Sequence, residues 1–168
     1  KACDKFSVLF NTSQETANEL TKSMKFVVNK HGRIKNLLSS TGEHLASFRL
    51  GDGGLSLSNK GAIELFNRRR RPLPTGFCET SIVAYSGEGL AVVTINDDAI
   101  PFVRRGRNVF HGFVTGCDPW VRPGEACLIC SEGGDLIGHG VSNSTAVDLS
   151  SMRKGVAIKT RDGIKEDD

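Results

Sequence analysis

Two clusters of arginines carry the clearest binding chemistry in this chain. Arg104, Arg105 and Arg107 surround Gly106, and four consecutive arginines occupy positions 68–71. A guanidinium group presents a planar fork of N–H donors that fits a phosphate and can also stack on a base. The glycine would let a nucleic-acid backbone approach closely. The first cluster therefore predicts a phosphate-binding site, although the local sequence alone also fits solvated side chains at a helix end.

Other residue types that could do chemistry are poorly arranged for it. Cys127 and Cys130 have the C-x-x-C spacing of some zinc and redox sites, but no second such pair exists. On a strand, positions three apart point to opposite faces, so we predict buried thiols. The four histidines are scattered, and no Gly-x-Ser-x-Gly motif is present. We expect no catalytic residues, no metal site and no cofactor.

Length and composition limit the possible classes of protein. The 168 residues have room for one domain or two small ones, and the formal net charge is only +3. A nucleic-acid partner must therefore be argued from where the charge lies. The chain lacks a run of roughly 18 apolar residues, so we expect no membrane association. Five cysteines and the lack of a signal sequence favour reduced thiols and a cytoplasmic location.

The first half of the chain predicts a small α+β domain. Thr12 and Glu15 have the spacing of a capping box before a helix at 13–22, and Ser58 can cap a second helix at 59–67. Strands are predicted at 26–28, 34–38, 45–50 and 55–57. A Pro-x-Pro sequence follows the arginine run at 68–71 and cannot extend a helix. We therefore predict a domain of residues 1–75.

The second half, residues 76–168, predicts a small barrel-like sheet. Its strands are short and separated by glycine turns, at 81–85, 90–95, 109–114, 126–130, 136–139 and 156–159. A short helix should begin with Asp97 or Asp98 as its cap and end at Gly106. Trp120 lies in a predicted turn and is expected to pack rather than to stack on a base.

Four stretches of this second half resemble one family of RNA-binding modules. They are Asp98–Phe110, Asp118–Glu125, Ile137–Gly140 and Met152–Lys159. In order and spacing they resemble the helix, the Arg-Pro-Gly-acid turn, the glycine-bearing strand and the closing strand of a PUA domain. The sequence Arg-Gly-Arg-Asn-Val-Phe at 105–110 is similar to one in the C-terminal part of archaeosine tRNA-guanine transglycosylases. More weakly, the first half resembles the α+β domain that precedes PUA in those enzymes, whereas nothing resembles their catalytic barrel.

The resemblance implies an α+β protein, with a small N-terminal α+β domain followed by a PUA-like mixed β-barrel. In the PUA family, RNA lies against the first helix and the following strand, near the closing strand. Carried over by position, this implies the following RNA-binding residues: Arg104, Arg105, Gly106, Arg107, Asn108, Val109, Lys154, Gly155 and Lys159.

The function that follows is that of a non-catalytic RNA-binding protein. Its expected ligand is tRNA, rRNA or another structured RNA, and it could assist an RNA-modifying enzyme on a separate chain. Two alternatives stay open. One is an RNA-modifying enzyme subunit with catalysis in the N-terminal domain, and the other is a ribosome-assembly adaptor whose arginines at 68–71 contact an acidic partner.

Overall fold

The computed structural model describes residues 4, 7, 13–49, 51, 53–69, 71–77 and 89–166. These residues divide into two compact units. One contains the described residues up to 69 together with 89 and 90, and the other contains residues 71–77 and 91–166. The predicted domain limits of 1–75 and 76–168 stay a prediction.

The first unit is a four-stranded antiparallel sheet with helices. Its elements are α1 (Gln14–Lys22), β1 (Lys25–Val28), β2 (Ile34–Leu38), β3 (His44–Phe48), β4 (Leu55–Leu57) and α2 (Asn59–Asn67). The strands lie in sequence order, each paired with the next. This is the predicted small α+β architecture. The predicted capping residue Thr12 lies outside the described residues.

The start of α2 shows how the sequence specifies this unit. The Ser58 side chain accepts a hydrogen bond from the Gly61 amide at 3.0 Å, as expected of an N-cap. Gly61 lies so close to the Leu45 carbonyl that a Cβ there would collide with it. Leu37, Leu45 and Ala62 are buried in the core of this unit. The cap and the close glycine contact therefore fix where α2 begins and how closely it approaches β3.

The second unit is built on a six-stranded mixed sheet. Its elements are β5 (Ala91–Ile95), a 3₁₀ turn (Asp97–Ala99), α3 (Ile100–Arg104), β6 (Val109–Phe110), a 3₁₀ turn (His111–Phe113), β7 (Val114–Cys117), β8 (Ala126–Ser131), β9 (Leu136–Ser142), α4 (Ala146–Ser151) and β10 (Val156–Gly163). The strand order is β6-β10-β9-β8-β5-β7, in which only the β5–β8 pair is parallel. The curled mixed sheet agrees with the predicted PUA-like fold.

Three details of this unit differ from the sequence predictions. The cap before α3 is Asn96, whose side chain accepts from the Ala99 amide, and not Asp97 or Asp98, which lie within the 3₁₀ turn. The single strand predicted at 109–114 is two strands, β6 and β7, at opposite edges of the sheet. Helix α4 was not predicted, although its capping box of Thr145 and Asp148 is visible in the sequence.

A buried histidine explains the division of the predicted strand. His111 follows β6 and is 3% exposed. Its backbone N–H donates to the Gly155 carbonyl, and its ring nitrogens lie 3.0 Å from that carbonyl and 2.8 Å from the Ser144 hydroxyl. These bonds hold a 3₁₀ turn there, so the chain leaves the β10 edge.

The predicted strand at 81–85 lies outside the described residues, and β5 pairs with β7 and β8.

His139, in the centre of the sheet on β9, predicts a pH-dependent stability. Burial lowers the pKa of this imidazole, and the nearby Asp162 carboxylate only partly opposes that effect. The unfolded chain therefore takes up this proton at a higher pH than the folded chain does. The free energy of unfolding should fall as the pH drops through the ordinary histidine pKa of 6.5 towards the lowered value.

The test compares two variants by urea unfolding at several pH values. His139→Gln should flatten the dependence on the acid side of neutrality, because the amide does not titrate. His31→Gln is the control, because His31 is exposed and should leave the dependence unchanged. Equal pH dependence in His139→Gln and the unsubstituted chain would contradict the assignment.

Candidate nucleic-acid interface

The end of α3 fixes the direction of the arginine-bearing loop. Gly106 has a φ of 80°, and its amide donates to the Val103 carbonyl at 2.8 Å. The Arg107 amide reaches back to the Phe102 carbonyl at 3.0 Å. This pair of bonds is a Schellman motif, which ends a helix and favours glycine at the left-handed position. The prediction that Gly106 ends the helix is confirmed, and Arg105 and Arg107 are both exposed beside it.

One side-chain contact places this loop against the closing strand. The Asn108 Oδ1 accepts a hydrogen bond from the Thr160 amide at 3.2 Å, and Val109 then pairs with Ile158 in the β6–β10 ladder. Thr160 lies between Lys159 and Arg161, and both of these side chains are exposed. The long-range pairing therefore brings the α3 loop next to the cations of β10.

The other end of β6 lies beside Lys154 and Gly155. Phe110 is paired with Val156, and the bonds of His111 to the Gly155 carbonyl continue the contact. Lys154 is exposed immediately before Gly155. Residues that are about fifty positions apart in sequence thus lie along the two sides of one short β6–β10 ladder.

Two predicted site residues have side chains with other roles. Val109 is 1% exposed, and its side chain belongs to the hydrophobic core. The Arg104 side chain is about one quarter exposed, and its guanidinium forms an ion pair with Glu166 at 3.2 Å. Their neighbours carry the exposed charge. Five cations form what we call the basic surface: Arg105, Arg107, Lys154, Lys159 and Arg161.

Comparison with known proteins matches each half of the chain to a family of domains. Residues 91–164 match the model of the PUA domain family. This part of the chain is a PUA domain. Residues 13–72 match the patch-forming domain C2 of tRNA-guanine transglycosylase. The two matched segments correspond to the two α+β parts that the sequence resemblance indicated.

Curated relatives share both segments. The tRNA-guanine(15) transglycosylase of Methanocaldococcus jannaschii is 34% identical over 149 residues, which are 88% of this chain and 20% of that protein. The corresponding protein of Thermococcus kodakarensis is 30% identical, over 90% of this chain and 23% of its own length. The chain thus spans about a fifth of the length of these relatives.

Solved structures share the fold at low sequence identity. A hypothetical protein from Pyrococcus horikoshii has a TM-score of 0.64 at 15% identity, covering 98% of this chain and 89% of that one. A PUA domain protein from Thermoplasma acidophilum has a TM-score of 0.54 at 16% identity, covering 92% of each chain. These likenesses support the architecture of the chain.

The PUA domain also exposes groups that the sequence analysis missed. Phe102 on α3 is 54% exposed and Phe110 on β6 is 48% exposed. Arg161 belongs to the basic surface because β10 continues to Gly163, beyond its predicted end at 159. Residues two apart on a strand point to the same face, so the Lys159-x-Arg161 spacing could have indicated Arg161 beside Lys159. None of the five cations of the basic surface forms an ion pair with a described residue.

The described arginines of the run at 68–71, namely Arg68, Arg69 and Arg71, each make a contact within the chain. Arg68 forms an ion pair with Glu64, and Arg69 donates to the Leu90 carbonyl at 3.4 Å. The Arg71 guanidinium lies 5.3 Å from the ring centroid of Trp120, which is itself buried as predicted for a packing residue. Arg70 lies outside the described residues. Arg68 and Arg69 therefore use some of their N–H donors within the chain.

The cysteines of the C-x-x-C pair, Cys127 and Cys130, are buried thiols, as predicted. Burial raises the pKa of Cys127 to about 12, so this thiol stays protonated at neutral pH and is a poor nucleophile. Across the described parts of the chain, no group of three or more His, Cys, Asp or Glu side chains is placed to hold a metal ion. No helix there has the length and apolar character needed to cross a membrane.

Proposed function

We propose that this chain is a non-catalytic RNA-binding protein whose ligand is tRNA or another structured RNA. The basic surface carries this proposal, because its five exposed cations have no acidic partner among the described residues. Guanidinium and ammonium groups bind phosphates, and the exposed rings of Phe102 and Phe110 offer faces on which bases can stack. In the PUA family, this domain binds RNA.

The rigidity of the surface favours a folded RNA over a flexible single strand. The Schellman motif, the Asn108–Thr160 bond and the His111–Gly155 bonds fix the backbone around the cations. Strand β10 rises about 3.3 Å per residue, so the stretch from Val156 to Arg161 covers roughly 17 Å. Cations at fixed separations complement phosphates at fixed separations, and double-stranded RNA is recognised largely by shape and backbone.

The relatives support tRNA as the RNA and a modifying enzyme as the partner. They are named as enzymes that act on tRNA, and this chain corresponds to about a fifth of their length. We infer that the chain supplies RNA binding and that the chemical step belongs to a separate catalytic chain. No cofactor is needed for the role proposed here.

The decisive experiment is a binding titration of bulk tRNA at several salt concentrations. Binding should be tight at about 50 mM KCl and weaken steeply towards about 300 mM, because each neutralised phosphate releases a counterion. With five contacts to duplex segments of the tRNA, the slope of log K against log salt should be about −4.5. Failure to bind bulk tRNA even at the lowest salt would reject the proposal.

Two further measurements distinguish the alternatives. Turnover of guanine in tRNA by the purified chain would favour an enzyme subunit over a non-catalytic protein. Copurification of an acidic protein without RNA would favour the adaptor that uses the arginines at 68–71. The proposed function predicts that the purified chain does not turn over guanine in tRNA. It also predicts that RNA copurifies with the chain.

A further inference from the structure

A buried histidine holds the backbone next to Lys154, one of the cations of the basic surface. Lys154 is exposed in the connection between α4 and β10, where residues 152–155 belong to neither a helix nor a strand. Gly155 follows it with a φ of 88°. The Gly155 carbonyl oxygen accepts a hydrogen bond from the His111 amide at 3.1 Å, and Nδ1 of His111 lies 3.0 Å away. A residue from a distant segment therefore fixes the direction of this carbonyl.

The partners of the His111 ring determine which of its nitrogens carries the proton. A carbonyl oxygen can only accept a hydrogen bond, so we assign the proton to Nδ1, which donates to Gly155. In the neutral ring Nε2 then accepts, and the Ser144 hydroxyl 2.8 Å away is its donor. Both ring nitrogens are bonded within the chain, so the imidazole is held in one orientation.

The Ser144 end of this network is fixed as well. The Ser144 amide donates to Ser142 Oγ at 3.2 Å, and the Ser142 hydroxyl donates to the Ser144 carbonyl at 2.8 Å. Ser142 is the last residue of β9. Ser142, Ser144 and His111 are 1%, 5% and 3% exposed, so water does not compete for these bonds. The imidazole therefore connects the end of β9 to the backbone beside Lys154.

The 3₁₀ turn that begins at His111 packs against the same connection. A Cβ added at Gly112 would lie 3.3 Å from the Arg153 carbonyl oxygen, and one added at Gly155 would lie 3.9 Å from His111 Nδ1. A side chain without the ring nitrogens would leave the Gly155 carbonyl only the bond from the backbone amide. Because glycine allows many backbone conformations, the connection would then vary in shape and the Lys154 ammonium would occupy several positions.

We propose that His111 is a positioning residue for RNA binding, because its Nδ1 bond to the Gly155 carbonyl holds Lys154 where the ammonium group contacts phosphate. The imidazole itself is 3% exposed and does not touch the RNA. A cation that is already ordered binds its ligand at a lower entropic cost than one that must be ordered on binding. This inference rests on the proposed RNA-binding function, and it assigns a role in that function to a buried side chain.

The test is a double-mutant cycle on the full chain, with bulk tRNA as the probe and each variant shown to be folded by circular dichroism. Lys154→Gln should weaken binding about fivefold, and His111→Phe, which keeps a ring without its nitrogens, about threefold. The double variant should also bind only about fivefold more weakly, because both changes remove the same contact. A combined loss of about 15-fold, the product of the two effects, would overturn the proposal. So would a Lys154→Gln variant that binds normally.

A second cycle is the matched control. Arg105→Gln and His111→Phe should weaken binding independently, so that their effects multiply. The reason is that the loop of Arg105 is held by its own Schellman motif and by the Asn108–Thr160 bond. Equal coupling of His111 to Arg105 and to Lys154 would mean that the substitution disturbs the whole basic surface, and the assigned role would be wrong.

Two amide variants distinguish positioning from general stabilisation, and they replace His111→Phe if that variant does not fold. Asparagine places its amide nitrogen near the position of Nδ1 and can donate to Gly155, whereas glutamine places its amide near Nε2 and reaches Ser144. His111→Asn should keep its tRNA affinity within about twofold, and His111→Gln should show the full loss. Equal affinities of these two variants would refute the role of the Gly155 bond.

The outcomes also separate this inference from the proposed function. No tRNA binding by the unsubstituted chain would reject RNA binding altogether. Normal binding by that chain, with independent effects of His111 and Lys154, would reject the positioning role alone. His139→Gln removes the other buried imidazole, which is also 3% exposed, and should leave tRNA affinity unchanged. If it weakens binding as much as His111→Gln does, the loss reflects general destabilisation and the proposal is wrong.

Discussion

Replacing Arg105 and Arg107 together by glutamine is expected to weaken tRNA binding by about 30-fold. Each guanidinium that contacts phosphate contributes about 1 kcal/mol net, and about 1.4 kcal/mol corresponds to a tenfold change in affinity. Both side chains are exposed, and the bonds that shape the loop come from backbone amides. The variant should therefore fold normally, and the salt dependence of binding should become shallower by about 2.

The Lys60→Gln, Arg122→Gln protein serves as the matched control, because it loses the same two charges at ion-paired positions. Its tRNA affinity should stay close to that of the unsubstituted chain. If the Arg105, Arg107 variant binds as well as this control, the α3 loop does not contact RNA.

A separate Arg104→Gln variant should lower the stability of the fold more than the affinity for tRNA, because that side chain pairs with Glu166.

The parts of the site that depend on neighbouring residues could be predicted from the sequence. Glycine at position 106 is favoured where a helix ends in the left-handed conformation, and two cations lie within a residue of it. Ser58 likewise indicated the start of α2, because its hydroxyl replaces a missing backbone partner. Such signals act within four or five residues, so the loop and both its exposed arginines were found without knowledge of the sheet.

The parts that depend on long-range pairing could not be predicted in the same way. Arg161 joins the basic surface, and Phe110 lies next to it, only because β6 pairs with β10, and no local pattern specifies that edge. Likewise, the division of the predicted strand at 109–114 depends on His111 meeting Gly155 and Ser144, more than thirty residues away. A buried polar side chain satisfied by distant partners can override local strand propensity.

When predicted site residues are adjacent in sequence, as at 104–109, the sequence alone does not show which of their side chains are exposed. Arg104 and Val109 are sequence neighbours of the exposed arginines, yet one pairs with Glu166 and the other packs in the core. In a helix or a strand, successive side chains point in different directions. The sequence therefore indicated which segment to consider, whereas the exposure of each of its side chains depended on how that segment packs against β10.

Gly163→Ala is expected to destabilise the second unit by about 3 kcal/mol. A Cβ at this position would lie 2.3 Å from the Arg104 carbonyl oxygen and 2.5 Å from the Arg104 carbonyl carbon and Cα. These are backbone atoms at the end of α3, which cannot move aside as a flexible side chain can. Urea unfolding should show the loss as a lower midpoint for this unit.

The same substitution should also weaken tRNA binding, because the contact at Gly163 sets the distance between β10 and the helix that leads into Arg105 and Arg107. Gly133→Ala is the matched control: its nearest neighbour to an added Cβ is the Ser131 hydroxyl at 3.7 Å, an ordinary contact. That variant should keep both its stability and its affinity. A Gly163→Ala protein that unfolds like this control would show that the end of α3 can move away from β10 at little cost. If it also kept full tRNA affinity, the close packing of the α3 end against β10 would not be required for RNA binding.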